Sequence, residues 1–276
     1  MLEYPESHIL VSQINNALKN RKIVRVIANS SPHKFAWFNG SPSQYPALLK
    51  DRTIKSATAY GGMLEIDFDG VCLVIGDGTN LTWHSNSQNI PSKHQLLLEL
   101  DDHSTITCSV QMYGGIWAFE EGTFDNPYYL GAKKAIPLDE SDSTLEYFLE
   151  KTQKYSNLSL KVFLATEQRF AGLGNGVLQD ILFKARMNPR TKINTLTSEK
   201  ICELHSVIVK EIQAMIQQGG RGTESDLFGQ YGRYLTLSQR YANKEVCPNC
   251  QSAFVKEAYM GGTIYYCPAC QPVVKS

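Results

Sequence analysis

Polar and apolar positions divide the chain into a strand-rich first half and a helical second half. Residues 63–70 read Met-Leu-Glu-Ile-Asp-Phe-Asp-Gly, apolar side chains alternating with acidic ones, and end on a turn signal. That period of two predicts a half-buried strand. Val71 to Ile75 follows as its hairpin partner across Asp69-Gly70. Gln95 to Leu100 and Ser104 to Val110 make a second expected pair across Asp101-Asp102-His103. Ahead of both, Ser7 to Leu18 places Ile9, Ile14, Ala17 and Leu18 on one stripe and predicts a helix. The first half therefore reads as a mostly antiparallel sheet structure behind an N-terminal helix.

The pattern changes at Asp139 to Thr144, a polar and acidic stretch that reads as a linker. Helices are expected over Leu158 to Gln168 and over Gly176 to Arg186, the latter stopped by Asn188-Pro189. The clearest runs from Ser198 to Gln217, where Ile201, Leu204, Ile208, Ile212 and Met215 recur at helical spacing. Thr197 stands where an N-cap belongs, and Gly219-Gly220 ends the run. Residues 221–244 are polar and Gly-rich and predict no regular element.

With 276 residues the chain is long enough for two domains and a sizeable core. No apolar run approaches the roughly 20 residues of a membrane span, and the first ten residues lack a basic n-region. A soluble, cytoplasmic protein is expected, with no membrane partner. Net charge is zero, but the zero hides a gradient. Residues 1–150 hold eleven Lys and Arg against eighteen Asp and Glu, whereas residues 151–276 hold sixteen against nine. Such asymmetry suggests that the second half meets a polyanion. Cys72, Cys108 and Cys202 are scattered and read as buried thiols of a reducing compartment.

The other four cysteines are patterned. Cys247-Pro-Asn-Cys250 and Cys267-Pro-Ala-Cys270 form two C-x2-C pairs, sixteen residues apart. Paired thiolates grip one face of a metal, and a second pair returned by a hairpin completes the tetrahedron that Zn²⁺ accepts. Phe254 to Glu257, a Gly261-Gly262 turn and Thr263 to Tyr266 supply that hairpin. One structural Zn²⁺ is expected, and metal binding would supply folding energy that so small a core lacks.

Between two helices lies Phe170-Ala171-Gly172-Leu173-Gly174-Asn175-Gly176. Glycines around an Asn at a helix start can leave backbone N–H groups facing an anion, although an ordinary tight turn would read the same way. Together with Asn188-Pro189, the ending Cys267-Pro-Ala-Cys270-Gln271 and the opening Met1-Leu2-Glu3-Tyr4-Pro5-Glu6, this junction resembles the formamidopyrimidine-DNA glycosylase/endonuclease VIII family. The resemblance implies an α+β, bilobal fold. An antiparallel β-sandwich-like domain with a helix (1–138) would precede a helix–two-turn–helix domain (139–244) and a zinc-finger β-hairpin (245–276). It implies a nucleoid-associated monomer that flips a damaged base out of duplex DNA, releases it, and cleaves the strand through a Schiff base on its N-terminal amine. Carried over, Glu3 matches the catalytic acid/base, Glu6 a supporting acid, and Asn175 beside Gly174 the phosphate-holding Asn. The four cysteines match the zinc ligands.

The sequence departs from that pattern at its active groups. Leu2 replaces the nucleophilic proline, so a retained Met1 would carry the amine one residue further from Glu3. The expected phosphate-binding Lys falls at Gly61-Gly62 and the zinc-finger Arg at Gly262, while Asp77, Met112 and Tyr113 fall where the family inserts side chains into the duplex. Arg221, Arg233 and Arg240, and Lys256 on the hairpin, are candidate DNA contacts. Trp37, Trp83 and Trp117 read as core or core edge. Two functions follow: a glycosylase in which Glu3 activates water and no amine is needed, or a non-catalytic module that binds lesions. An RNA-binding protein is a third reading, since zinc ribbons serve there too.

Overall fold

A computed structural model describes residues 2–76, 78–86, 90–140 and 142–274, with Asp142 and Ser143 described by backbone alone. Helix α1 (Tyr4–Ala17) opens the chain, with Pro5 in its first turn and the Glu6 carboxylate accepting from the Glu3 N–H at 3.3 Å. Its buried stripe is Leu10, Ile14 and Leu18, spaced by four; Ile9 is only partly covered and Ala17 is exposed. The stripe lies one residue off the expected one at its start, and α1 begins earlier than expected, at Tyr4.

Two sheets follow. β1 (Ile23–Ala28), β6 (Thr79–His84), β7 (Leu96–Leu100) and β8 (Thr105–Val110) form one in the order β1-β7-β8-β6, all antiparallel. β2 (Ala36–Phe38), β3 (Ser56–Tyr60), β4 (Met63–Asp67), β5 (Val71–Ile75) and β9 (Gly114–Glu120) form the other in the order β2-β9-β5-β4-β3, where β2 and β9 run parallel. Both expected hairpins are present: Ile66 pairs with Leu73 and Leu98 with Ile106. Asp69 and Gly70 turn the first with φ of 66° and 83°, as a two-residue hairpin requires. Leu10 and Ile14 join Ile66, Leu73, Leu98 and Ile106 in one core that takes side chains from α1 and both sheets.

β4 is not the half-exposed strand its alternation suggests. Glu65 is buried because α3 (Pro127–Lys133) covers it: the Tyr129 hydroxyl donates to its carboxylate and Lys133 Nζ lies 3.4 Å away. Helix α2 (Tyr45–Leu49) and α3 carry no periodic signal in such short runs, although Asn126-Pro127 is a cap signature and the Asn126 side chain accepts from the Tyr128 and Tyr129 N–H groups.

The second half of the expected linker at 139–144 forms the start of α4 (Asp142–Lys154), and Tyr4 pins the chain before it: its hydroxyl donates to Asp139 Oδ1 at 2.6 Å and accepts from the Leu138 N–H. α5 (Leu160–Ala165) is shorter than predicted, since Glu167 and Gln168 take positive φ and end it. α6 (Asn175–Lys184) and α7 (Ser198–Gln217) match expectation closely, and Thr197 caps α7 by accepting from the Lys200 N–H. Leu204, Ile208, Ile212 and Met215 of α7 pack with Val177, Leu178, Ile181 and Leu182 of α6 in a second core, which Tyr4 also joins. The segment read as featureless contains α8 (Leu237–Ala242), with a capping box formed by Thr236 and Gln239. β10 (Val255–Tyr259) and β11 (Gly262–Tyr266) close the chain, and Met260-Gly261, not Gly261-Gly262, make the turn. Cys72 and Cys108 are buried as expected, but Cys202 is exposed on α7. Among the described residues no helix is long and apolar enough to cross a membrane.

Candidate active-site cleft

The N-terminal residues reach the second half of the chain through two carboxylates. Glu3, 4% exposed, accepts from the backbone N–H of Gly176 at 2.9 Å and of Val177 at 2.8 Å. Both belong to the first turn of α6, whose N–H groups have no partner within the helix and whose dipole favours an anion. The anion met there is the protein's own. Two of the N–H groups that the sequence offered to a DNA phosphate are thus taken by Glu3.

Arg221 completes the cluster from the segment after α7. Its Nη2 lies 2.6 Å from Glu6 Oε2, its Nε 2.9 Å from Glu6 Oε1, and its Nη1 3.4 Å from Glu3 Oε2. The two carboxylates hold the guanidinium well above its usual range despite a burial that alone would lower it. At 2% exposed, Arg221 is a structural partner of Glu3 and Glu6 and does not face a phosphate, which corrects its reading as a DNA contact. A guanidinium between two carboxylates offers bidentate geometry that a lysine could not match.

Glycines make this packing possible. A Cβ on Gly176 would stand 1.8 Å from Arg221 Nη1, and one on Gly174 would stand 2.5 Å from the Glu3 carboxyl carbon. Gly172, at φ 81°, lies against Gly61, at φ 59°; a Cβ on Gly172 would sit 2.4 Å from the Gly61 carbonyl carbon. The Tyr4 N–H donates to Gly172 O and the Ser7 hydroxyl to Gly61 O. Where the sequence lacks an expected cation at Gly61-Gly62, backbone therefore meets backbone. At Gly262 the backbone meets a side chain instead, since a Cβ there would press to 3.2 Å from Asn175 Oδ1.

Above Glu3 opens a cleft of about 410 Å³, bounded by Leu2, Tyr113, Tyr128, the 165–168 turn, Gly172 to Asn175 and the hairpin tip at Met260 to Gly262. Leu2 is buried against the first core. Met1 and Asp77 lie outside the described residues. Asn175 donates through Nδ2 to Thr263 O at 2.7 Å, and Gln179 bonds both Thr263 O and the Tyr265 N–H, so α6 holds the hairpin directly. Lys256 does not line the cleft; its Nζ lies over the Tyr241 and Tyr265 rings. Tyr113 lines the cleft and is exposed; Met112, beside it in sequence, is exposed as well, as is Trp37, whose ring centroid is 5.9 Å from that of Tyr113. Trp37 is half exposed and not core, because β2 is a three-residue edge strand. Sequence reasoning missed Lys161 altogether. It lines the cleft, is 4% exposed and donates to Met260 O; burial pushes its ammonium below the usual lysine range. A lysine inside a short helix carries no signal that distinguishes it from a solvated one.

The four patterned cysteines converge. Their sulfurs all lie within 4.8 Å of one another, with Cys247 to Cys270 at 3.8 Å and Cys250 to Cys267 at 3.4 Å. Four sulfurs about 2.3 Å from a shared tetrahedral centre stand about 3.7 Å apart, so the donor set and its size suit a metal ion. Gln271 fastens the module to the turn that follows α6: its side chain bonds the Cys267 N–H and Met187 O, and its carbonyl accepts from Asn188 Nδ2. Those bonds give Asn188 and Gln271 their structural reason.

A two-sheet lobe and a helical lobe joined through buried acids, with a four-cysteine hairpin over the cleft, define a bilobal α+β class. The formamidopyrimidine-DNA glycosylase H2TH domain matches residues 135–226. A formamidopyrimidine-DNA glycosylase of Bacillus cereus is 30% identical over 278 residues, covering 99% of each chain. That of Lactobacillus delbrueckii subsp. bulgaricus is 27% identical over 89% of this chain and 93% of its own. Lactococcus lactis Fpg, solved in complex with abasic-site DNA, superposes with a TM-score of 0.83 at 22% identity, over 98% of this chain and 99% of that one. The chain belongs to the formamidopyrimidine-DNA glycosylase family.

Proposed function

We propose that this protein is a DNA glycosylase that binds duplex DNA carrying oxidised bases or abasic sites. The cleft carries the reading: an oriented carboxylate, Glu3, at its floor, a buried lysine in its wall and exposed aromatic residues on its rim. Family membership supports it, as do relatives solved on abasic-site DNA and, for MutM, on DNA containing carbocyclic 8-oxo-G. We take residues 1–138, 139–244 and 245–276 as its three functional units.

In the proposed reaction Glu3 faces the sugar of an everted nucleotide. Its carboxylate draws a proton from water attacking C1′ and stabilises positive charge developing on the sugar as the base departs. The α6 N–H groups and Arg221 fix its orientation before DNA arrives, which is the form of preorganisation that contributes to rate. Glu6 acts through Arg221 as a positioning residue. Gly174 lets Glu3 approach the junction, and Asn175 and Gly174 present the junction backbone to a phosphate. Tyr113, with Met112 and Trp37 behind it, fills the stack that the everted base leaves, because every base has a face on which an aromatic ring stacks. Cys247, Cys250, Cys267 and Cys270 hold one Zn²⁺, which supplies folding energy to the hairpin and takes no part in the chemistry.

Leu2 in place of proline makes strand cleavage the separate question. A free amine on a retained Met1 can form a Schiff base, so lyase activity would follow base release through that amine and not through Glu3. The test uses metal-loaded protein whose N-terminus is verified by mass. Duplexes with 8-oxoguanine, a formamidopyrimidine, an oxidised pyrimidine or an abasic site are incubated with it, with and without borohydride. Base release that disappears in Glu3→Gln is the expected result. Tight lesion binding without base release or adduct, indifferent to Glu3→Gln, would leave a lesion-binding module instead.

A further inference from the structure

The outward face of the five-stranded sheet is covered over only part of its width. Met63, Cys72, Val74 and Phe119 on that face pack with Tyr129 and Ala132 of α3. At the β2–β9 corner the face stays open. There Ala36 pairs with Gly114 and Trp37 with Gly115 in parallel register, and Phe35 O accepts from the Gly114 N–H at 2.9 Å. Successive residues of a strand point to opposite faces, so Ala36 and Phe38 turn inward against the first core while Phe35 and Trp37 turn outward. Tyr113, opposite Phe35 in the same register, shares their face and meets the Trp37 ring at 5.9 Å. Phe35 is 47% exposed, Trp37 49% and Tyr113 38%. The backbone under the rings is firmly held, since a Cβ on Gly78 would stand 1.7 Å from Tyr113 O.

Charge sets the same corner apart. Residues 1–150 hold eighteen acids, yet the two segments that build the corner, 7–50 and 103–119, hold none. Of the cations in the first segment, Arg21, Lys22 and Arg25 face Asp102, Asp51 and Glu99. Lys34 stands at the corner itself, exposed, with its Nζ 5.3 Å from the centre of the Phe35 ring.

Open rings beside a cation, with acids kept away, select a ligand that carries flat faces and negative charge together. Paired DNA keeps its base faces inside the stack and offers only charge. A single strand offers both, because every base has a face on which a ring stacks. Along an extended strand Phe35 and Trp37 stand roughly 6–7 Å apart, so each ring can take its own base. We infer that this corner binds unpaired nucleotides of a DNA strand, one base on Phe35 and the next on Trp37, with a phosphate at Lys34. Tyr113 lines the cleft and Phe35 and Trp37 do not, so the bound strand runs outward from the cleft rim. The DNA that suits the protein best then has an unpaired stretch beside the cleft. Binding of an undamaged strand involves no base release, so this inference and the glycosylase reading can fail separately.

Fluorescence anisotropy tests it, with metal-loaded full chain titrated into a labelled oligothymidylate of about ten nucleotides, within the range one strand-binding site covers. An undamaged duplex of equal length and an oligouridylate are titrated alongside. Saturable binding of the oligothymidylate, tighter than that of the duplex, is expected. Phe35→Ala/Trp37→Ala should weaken it about tenfold or more, whereas Trp37→Phe, which keeps a ring, should retain most of it. Both positions are exposed, so the double variant should keep its fold, which thermal melting checks. Lys34→Gln should flatten the dependence of log affinity on log salt by about 0.7 in slope. Duplex bound as tightly as the single strand, oligouridylate bound more tightly than oligothymidylate, or undiminished binding in the double variant would each overturn the proposal. So would a dimer that excludes the strand and is lost in the double variant, because a second copy would then cover the face.

Discussion

The two ends of the chain meet across the cleft, and they are assembled from different distances. The C-terminal module takes its four sulfurs from a span of 24 residues, Cys247 to Cys270, and its hairpin from the strand pair between them. The N-terminal edge takes its structure from far away: Glu3 is held by N–H groups more than 170 positions along the chain, and Glu6 by an arginine 215 positions along. A motif of local spacing is sufficient by itself and is written plainly in sequence. A cluster of long-range partners is complete only when the whole fold is, and each member looks ordinary alone. On the proposed reading the first end would take its stability from a metal, whereas the second takes it from the rest of the protein.

Removing the metal is the strongest way to probe that contrast. Structural zinc is worth about 10–16 kcal/mol in isolated fingers, so chelation or Cys267→Ser should unfold residues 245–276 and abolish DNA binding. Hydrogen exchange should show β10 and β11 losing protection while α7 retains it, with metal content falling from one ion per chain to none. A protected hairpin without metal would break the comparison.

Arg221→Ala attacks the other end and leaves two buried carboxylates facing each other. Urea denaturation should register a loss of about 3–5 kcal/mol, the cost of breaking a buried ion pair from one side. Gly176→Ala should cost about 1–3 kcal/mol, because its Cβ would collide with Arg221 Nη1. Combined with Arg221→Met, that substitution should be less than additive, since both act through one contact. Full additivity would separate the glycine from the ion cluster. The smallest change in stability belongs to Tyr113→Ala, within about 0.5 kcal/mol for an exposed side chain. Its lesion-duplex affinity should nonetheless fall by about 1–3 kcal/mol, measured by fluorescence anisotropy.

Much of the fold was legible. The hairpins at Asp69-Gly70 and around Asp102, the long α7 with its Thr197 cap, and the metal module all follow from short-range pattern. α2 and α3 escaped because elements of five and seven residues are too short to show a period. α4 escaped because its first turn is acidic and polar and reads as a linker. Glu65 shows the limit of alternation: an acid in a strand points outward unless another element covers it, and α3 does. At the site, Glu3 and Asn175 could be singled out by position in a motif. Arg221 could be seen only as a basic residue in a second half rich in them, and was assigned outward when its partners lie inward. Trp37 was read as core or core edge, and its place on a short edge strand leaves it at the edge, half exposed.

Glu3 is both a joint between the lobes and the acid at the cleft floor. Selection for folding alone would keep it, together with Gly174, Gly176 and Arg221, in a lineage that had given up base release. Such a lineage would carry its acid forward ready oriented, and regaining the reaction would require changes only in the groups that touch DNA. If Glu3 has the proposed role, the interlobe joint would act as a store of evolvability, insulating the oriented acid from drift while the rim of the cleft is free to change.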